Sequence, residues 1–484
     1  MKNKTKQLLL LVISLSLIGL VLHFLWLWKH STAFTYDQGR DLLDLREMYL
    51  LGKLRLIGAE TSLHGVFYGP FWYWLSFPFY LLTGGNPLST IFVLLGMSFV
   101  TPVITFWLID ERKLGLILAI IYIFSYSFFN SSTVALNTNP VIFIVTILVI
   151  LLSKFIDTNN KKFLYLTMFL SGSLFHFEPL IGLLWIPVFV ISIFGFKKVR
   201  EFLKVKESVL FYGMTFLPQL IFEFKHSFLQ TKALFSLLLG HGDSLTKIYD
   251  PISRLKDLQN IIGGIFVNQA DGNIFLSIVL VLLFLFGIKK NGNKAMGIIF
   301  LITLIVFLFG FAIYPYALWS WYTSSLDTLI LSLVGLGFYY LFIGSKKMKL
   351  ISVCIFSIFI LANMQRYLPW PLEQGFSSDA ANLRTRLRVI DLIYNDSNGK
   401  GMKIFTFAPY VEEYAYLTNQ TPYAAAKEEA DRSIPAKKAE CTYLIMEPFE
   451  SQEKWFWDWR YRFPEAEKTW TVGRTTIDKL CEKS

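Results

Sequence analysis

The chain has 484 residues, 54% of them hydrophobic and only 17% charged, with a mean hydropathy of +0.48. This excludes a soluble globular protein and points to a polytopic α-helical membrane protein. The net charge of +11 comes entirely from residues 1–363, which carry +12 against −1 for 364–484. It is spread over short loops without a basic–aromatic motif, so membrane lipids, anionic ones above all, are the expected partner and nucleic acid is not.

The first apolar run, Leu8 to Trp28, is too long for a removable signal peptide and lacks a small-residue cleavage site. Beyond it comes Tyr36-Asp37-Gln38-Gly39-Arg40-Asp41. Two readings fit. Thr35 and Gln38 have capping-box spacing, which would put Asp37 in the first turn of a helix, where an anion favours the dipole. A cap does not account for Arg40 and Asp41 following at once. Charges crowded against a membrane exit are costly unless they bind or react with something polar.

Residues 66–83 are apolar and aromatic but interrupted by Pro70 and Pro78. They are expected to lie at the outer interface and not to cross. Eleven crossings are expected near 8–28, 88–109, 114–130, 140–154, 162–176, 180–196, 207–222, 274–288, 296–313, 323–344 and 349–363. With 66–83 outside, the six short cytoplasmic pieces hold 19 Lys+Arg and 4 Asp+Glu, and the rest of the first 363 residues holds 10 and 13. This asymmetry places the N-terminus in the cytoplasm and the C-terminus outside.

Polar marks gather on the external side. They are His64, Asn137-Thr138-Asn139-Pro140, His176-Phe177-Glu178-Pro179, Tyr314-Pro315-Tyr316, Trp319 to Tyr322, and a long loop from Glu223 to Asn273. Each alone is an ordinary turn signal. Together they make a polar face over an apolar bundle, suited to a substrate with a lipid tail and a phosphate. No pair of histidines has metal-ligand spacing.

Past Pro369-Trp370-Pro371 the long apolar runs stop. Lys403 to Ala408 and Cys441 to Met446 read as strands, Val411 to Leu417 as a helix, and Thr469 to Lys479 as a strand pair. The expected organisation is a transmembrane domain over 1–371, with its first external loop at 29–87, and an external α/β domain over 372–484. That domain contains no histidine. Cys441 and Cys481 either bridge or stay as two thiols; a bridge is compatible with an oxidising exterior.

The chain resembles the GT-C membrane glycosyltransferases, in the branch of protein O-mannosyltransferases, lipid A aminoarabinose transferases and rhizobial galacturonosyltransferases. The likeness covers most of residues 1–363. Asp37 matches the family's acidic residue at the head of a juxtamembrane helix. His64-Gly65-Val66-Phe67-Tyr68-Gly69-Pro70 matches its basic-or-polar, proline and aromatic loop, and Tyr314 to Tyr322 its late external turn. Asn139-Pro140 stands where the family has Asp-Pro, which removes the acid there.

The resemblance implies sugar transfer outside the plasma membrane from a polyprenyl-phosphate donor to a lipid, glycan or protein acceptor. It implies Asp37 as general base with Asp41 in reserve. Arg40, His64 and Arg55 would hold the donor phosphate. Tyr68, Asn139, His176, Glu178, Tyr316 and Tyr322 would line the substrate. Plainer roles exist: Arg40 as a partner of Asp44, Arg55 as a headgroup contact. No cofactor is required, and a divalent metal is left open. A flippase or transporter of a lipid-linked sugar is one alternative. It would more naturally show inverted repeats or broken helices, which the sequence lacks. An O-antigen-polymerase-like enzyme, using the 223–273 loop, is another.

Overall fold

The computed structural model describes residues 2–28, 32–61, 63–239, 250–290, 295–314, 318, 320–368, 382–398, 402–406, 414, 416–417, 441–447 and 464–481. Two compact units emerge. The first comprises Met1–His23, Leu54–Phe79 and Ile91–Tyr367; the second comprises Phe24–Lys53, Tyr80–Thr90 and Leu368–Ser484. The C-terminal domain therefore shares its unit with the helix that carries Asp37.

The first unit is a helical bundle. Its long helices are α1 (Lys2–Trp28, shared with the second unit), α4 (Ile91–Leu108), α7 (Pro140–Thr158), α16 (Ala295–Ile313), α17 (Ser320–Phe342) and α18 (Lys346–Tyr367). Each of these six is long and apolar enough to cross a membrane. Two bent pairs raise the count to eight: α5 (Arg112–Phe124) with α6 (Tyr126–Thr133), and α14 (Pro251–Gln269) with α15 (Ile274–Lys290). All eleven expected crossings fall on helices, but not all on unbroken spans. The run at 207–222 divides at Phe216, ahead of Pro218, into α11 (Ser208–Thr215) and α12 (Leu217–Lys225). The runs at 162–176 and 180–196 become α8 (Lys161–Phe177) and α9 (Pro179–Gly195), each of 17 residues. Apolarity sums along a sequence; a break before proline does not show in that sum. This unit also contains α10 (Val199–Leu203) and α13 (Leu229–Leu238).

α17 is the bundle's central helix, packed against α15, α16, α5, α7 and α18. It meets α15 through glycines: a Cβ on Gly337 would lie 2.2 Å from the Leu283 carbonyl oxygen, and one on Gly287 the same distance from that of Leu333. Small residues let membrane helices approach backbone to backbone. Polar residues close the breaks. The bend at Ser125 frees the Tyr126 N–H, which donates to Asn363 Oδ1 at 2.7 Å. Asn363 Nδ2 donates to the Gln269 carbonyl at 2.8 Å, and Gln269 Nε2 to Ser127 Oγ at 2.6 Å. Ser127 Oγ in turn donates to Asp327 Oδ1 at 2.5 Å. Within a bilayer such groups must find partners inside the protein. His23 is likewise satisfied, between the Gly19 carbonyl at 2.6 Å and Ser132 Oγ at 2.7 Å.

The segment expected at the interface forms α3 (Phe71–Leu82), 12 residues with Pro78 inside. Twelve residues rise about 18 Å, too little to cross about 30 Å of hydrocarbon.

In the second unit, α19 (Leu383–Ser397) packs its Val389, Ile390 and Ile393 face onto a four-stranded sheet. The strands are β1 (Met402–Thr406), β2 (Cys441–Met446), β3 (Lys468–Val472) and β4 (Thr475–Cys481), in the order β1-β2-β4-β3. β1 runs parallel to β2; the other pairs are antiparallel. The β3–β4 turn places Gly473 at φ 60°, a conformation glycine adopts without strain. Cys441 stands opposite Cys481 in the β2–β4 register, and the two are disulfide-bonded. Of the expected helix at Val411–Leu417, Tyr414, Tyr416 and Leu417 are described and helical.

Candidate active site

The helix carrying the charged motif is α2 (Tyr36–Leu51). Gln38 Oε1 accepts the Thr35 N–H at 2.8 Å, the return half of a capping box. Gly52, at φ 62°, ends the helix and sends its N–H back to the Met48 and Tyr49 carbonyls. With both ends fixed, Asp37, Arg40 and Asp41 share one face, at i, i+3 and i+4. Arg40 grips both acids. Nη1 donates to Asp37 Oδ1 at 2.7 Å; Nη2 and Nε donate to Asp41 Oδ1 at 2.8 and 3.1 Å. Its guanidinium also lies 5.9 Å from the Tyr36 ring centroid.

The two acids differ in setting. Asp37 keeps 39% of its side chain exposed, whereas Asp41 keeps 1%. Burial pushes the Asp41 carboxyl up to about 6, with the Arg40 charge opposing it. One carboxylate is thus open to an incoming group, and the other orients the arginine between them.

α2 is held at its entry by the C-terminal domain of the same unit. Leu383 N–H donates to the Thr32 carbonyl at 3.0 Å, and Ala33 pairs with Asn382 in an antiparallel bridge. Arg386, fully buried, donates Nη1 to the Phe34 carbonyl. Its other edge is bidentate on Glu447, at 2.9 and 2.7 Å, and Tyr414 Oη donates to the same carboxylate at 2.6 Å. No local pattern signals this link, because Arg386 and Glu447 are 61 residues apart.

The other expected site residues belong to the first unit. Residues 58–61 pair back on 66–68 as a hairpin through Gly58 N–H to Tyr68 O, Tyr68 N–H to Ala59 O and Thr61 N–H to Val66 O. Tyr68 is half-buried in it. His64, 95% exposed at the hairpin's turn, lies with Nδ1 2.9 Å from Glu60 Oε1. Arg55 is half-buried, its guanidinium 5.5 Å from the Tyr73 ring centroid. His176 is fully buried, stacked on Phe71 at 3.8 Å, and a Cβ on Gly69 would strike its ring. Asn139 is 5% exposed at the head of α7 and donates Nδ2 to the Val134 carbonyl at 2.6 Å. Tyr322 is half-buried in the first turn of α17. Tyr316 lies outside the described residues.

Glu178 caps α9, accepting the Leu180 N–H at 3.3 Å. It is 5% exposed, and its Oε2 has no partner among the described residues. Burial pushes its carboxyl up to about 8 from 4.5. The folded chain therefore holds this proton between about 4.5 and 8, where the unfolded chain releases it. Stability contributed by the proton is fully present below 4.5 and is lost as pH rises through 8, at up to roughly 1.4 kcal/mol per pH unit. Glu178→Gln should keep the cap and flatten this part of the pH–stability curve; an unchanged slope in thermal unfolding from pH 5 to 8 would show the carboxyl to be solvated.

Two further polar groups were not singled out from the sequence. Arg254 on α14 is 1% exposed; Nη2 donates to the Tyr314 carbonyl at 3.2 Å, and Nη1 lies 3.7 Å from Asp257. Asp327 sits two turns into α17. Its signal was available, since a lone acid in a crossing is a functional candidate by default.

No protein-family model and no curated protein matches the chain. Solved structures do. Apo ArnT from Cupriavidus metallidurans superposes with a TM-score of 0.65 at 9% identity, over 97% of each chain. ArnT from the same organism bound to undecaprenyl phosphate gives 0.62 at 8%, again over 97% of each. At such identity the likeness speaks for fold alone: the chain has the fold of these ArnT structures, with several helices apolar and long enough to cross a membrane.

Proposed function

We propose that this chain transfers a sugar from a polyprenyl-phosphate donor to an acceptor at the outer face of the plasma membrane. The observation that carries the reading is the ArnT fold over 97% of the chain, one neighbour binding undecaprenyl phosphate, with an Asp–Arg–Asp cluster at the head of its juxtamembrane helix. Asp37 takes the proton of the acceptor hydroxyl as that oxygen bonds to the anomeric carbon. The anomeric carbon–phosphate oxygen bond breaks, and its electron pair leaves with polyprenyl phosphate. Cationic donors hold the charge that develops there. Arg40, Arg55 and His64 remain candidates.

The reading is tested by incubating membranes containing the chain with a panel of polyprenyl-phosphate sugars and following products by mass spectrometry. It expects one donor to lose its sugar to an acceptor, with polyprenyl phosphate released. Flipping of intact donor without cleavage would replace transfer by transport.

The Lys/Arg asymmetry supports a cytoplasmic N-terminus and an external C-terminus. A cysteine placed at Ser484 should label from outside intact cells; labelling only after permeabilisation would invert the orientation.

A further inference from the structure

The C-terminal domain carries a crevice that the transfer reading does not use. It lies between α19 and β3, the edge strand of the sheet, and has a volume of about 480 Å³. One wall is a helical stripe, Arg388, Asp391 and Asn395, at the i, i+3, i+7 spacing that lines up side chains along one face. The other wall is Trp470 with Lys468, whose ammonium lies 4.6 Å from the indole centroid. Trp470 is only partly buried although it touches the domain core, and Tyr443 lies beside it at 6.4 Å. Asp396 closes the end, fixed by Tyr443 Oη at 2.6 Å and Lys479 Nζ at 2.8 Å. Arg388, Asp391 and Asn395 are exposed, and none has a side-chain hydrogen-bond or ion-pair partner among the described residues.

The chemistry of the walls selects the ligand. An anion would meet Asp391 and Asp396 as well as the two cations. A purely apolar ligand would strand four charges. A polyol whose hydroxyls both donate and accept fits carboxylate, amide and guanidinium side by side. The indole offers an apolar surface for the C–H face of a pyranose ring.

We infer that this crevice is a saccharide-binding subsite, taking one or two sugar rings of a glycan at the membrane exterior. It goes beyond the transfer reading and stands whether or not the chain transfers sugar, since it rests on the domain alone.

The test uses the full chain in nanodiscs, with maltotriose, mannotriose and chitotriose as probes, read by saturation-transfer NMR. At least one trisaccharide should bind. Asn395→Ala and Asp391→Asn, both on an exposed helix face, should each weaken it about tenfold, equivalent to roughly 1.4 kcal/mol. Trp470→Tyr should keep most of the binding, and Trp470→Ala should lose it if the domain stays folded by circular dichroism. Binding that is unchanged in both helix variants places the sugar elsewhere and overturns the inference, as does absence of binding by all three probes. Adsorption of phosphatidylglycerol vesicles that depends on Arg388 and Lys468, without sugar binding, would make the crevice a headgroup contact instead.

Discussion

Asp37→Asn is expected to lower sugar transfer by about 10²–10⁴, the range typical of general-base catalysis, with the protein still folded. The amide has the carboxylate's size and can still accept from Arg40, so helix α2 should survive the change. Only the ability to take a proton is lost. Asp41→Asn should act differently. Asp41 is buried against Arg40, and its carboxyl titrates near 6 because burial opposes its charge. As pH falls through about 6, Asp41 takes up a proton and its hold on Arg40 weakens. Transfer should therefore decline on the acid side of that value, and Asp41→Asn should remove this limb and lower the rate at all pH values. Single-turnover rates across pH 5–8 for the three proteins separate the roles. Near wild-type transfer by Asp37→Asn would reduce Asp37 to a first-turn anion at the helix dipole.

That cluster was legible in the sequence because it is local. Positions 37, 40 and 41 fall on one side of a helix capped by Thr35, although the i,i+4 spacing pointed Arg40 to Asp44 whereas its guanidinium bonds Asp37 and Asp41. The helices were legible for a similar reason: apolar runs of sufficient length leave the backbone few other ways to satisfy itself in lipid. β2 matches the expected strand from Cys441 to Met446 residue for residue, since a β-branched and aromatic run bounded by polar stretches reads as a strand without help from elsewhere. α19 escaped notice because arginines and aspartates interrupt its apolar stripe, and because Arg386 spends its charge inside the core. A buried arginine can be read only together with its partner, and Glu447 lies on another element. Arg254 was hidden in the same way: its burial is set by packing in the first unit and by a carbonyl 60 residues away. His176 shows the converse. Its place beside Glu178 made it look like part of a polar face, yet its ring is stacked on Phe71 beneath Gly69.

The long-range link carries the second large effect. Arg386→Ala should destabilise the unit that contains α2 and the C-terminal domain by roughly 3–5 kcal/mol, the usual result of removing one partner from a buried pair. The loss has three parts. Glu447, 2% exposed, keeps a buried carboxylate that, among the described residues, is served by Tyr414. The Phe34 carbonyl loses its donor. The segment 32–35 keeps its bonds to Leu383 and Asn382 but loses this one. Hydrogen exchange should report the effect first in residues 32–41 and in α19, ahead of the helices of the first unit. Transfer should fall because the entry to α2 is loosened, although Arg386 touches neither acid of the cluster. Replacing both partners, Arg386→Met with Glu447→Leu, should restore much of the stability, since an apolar pair of similar volume leaves no orphaned charge. It should not restore transfer to the same degree, because the Phe34 carbonyl still lacks its donor. Recovery of both together would mean that the domain positions α2 through packing alone, and that the guanidinium bond to Phe34 is incidental.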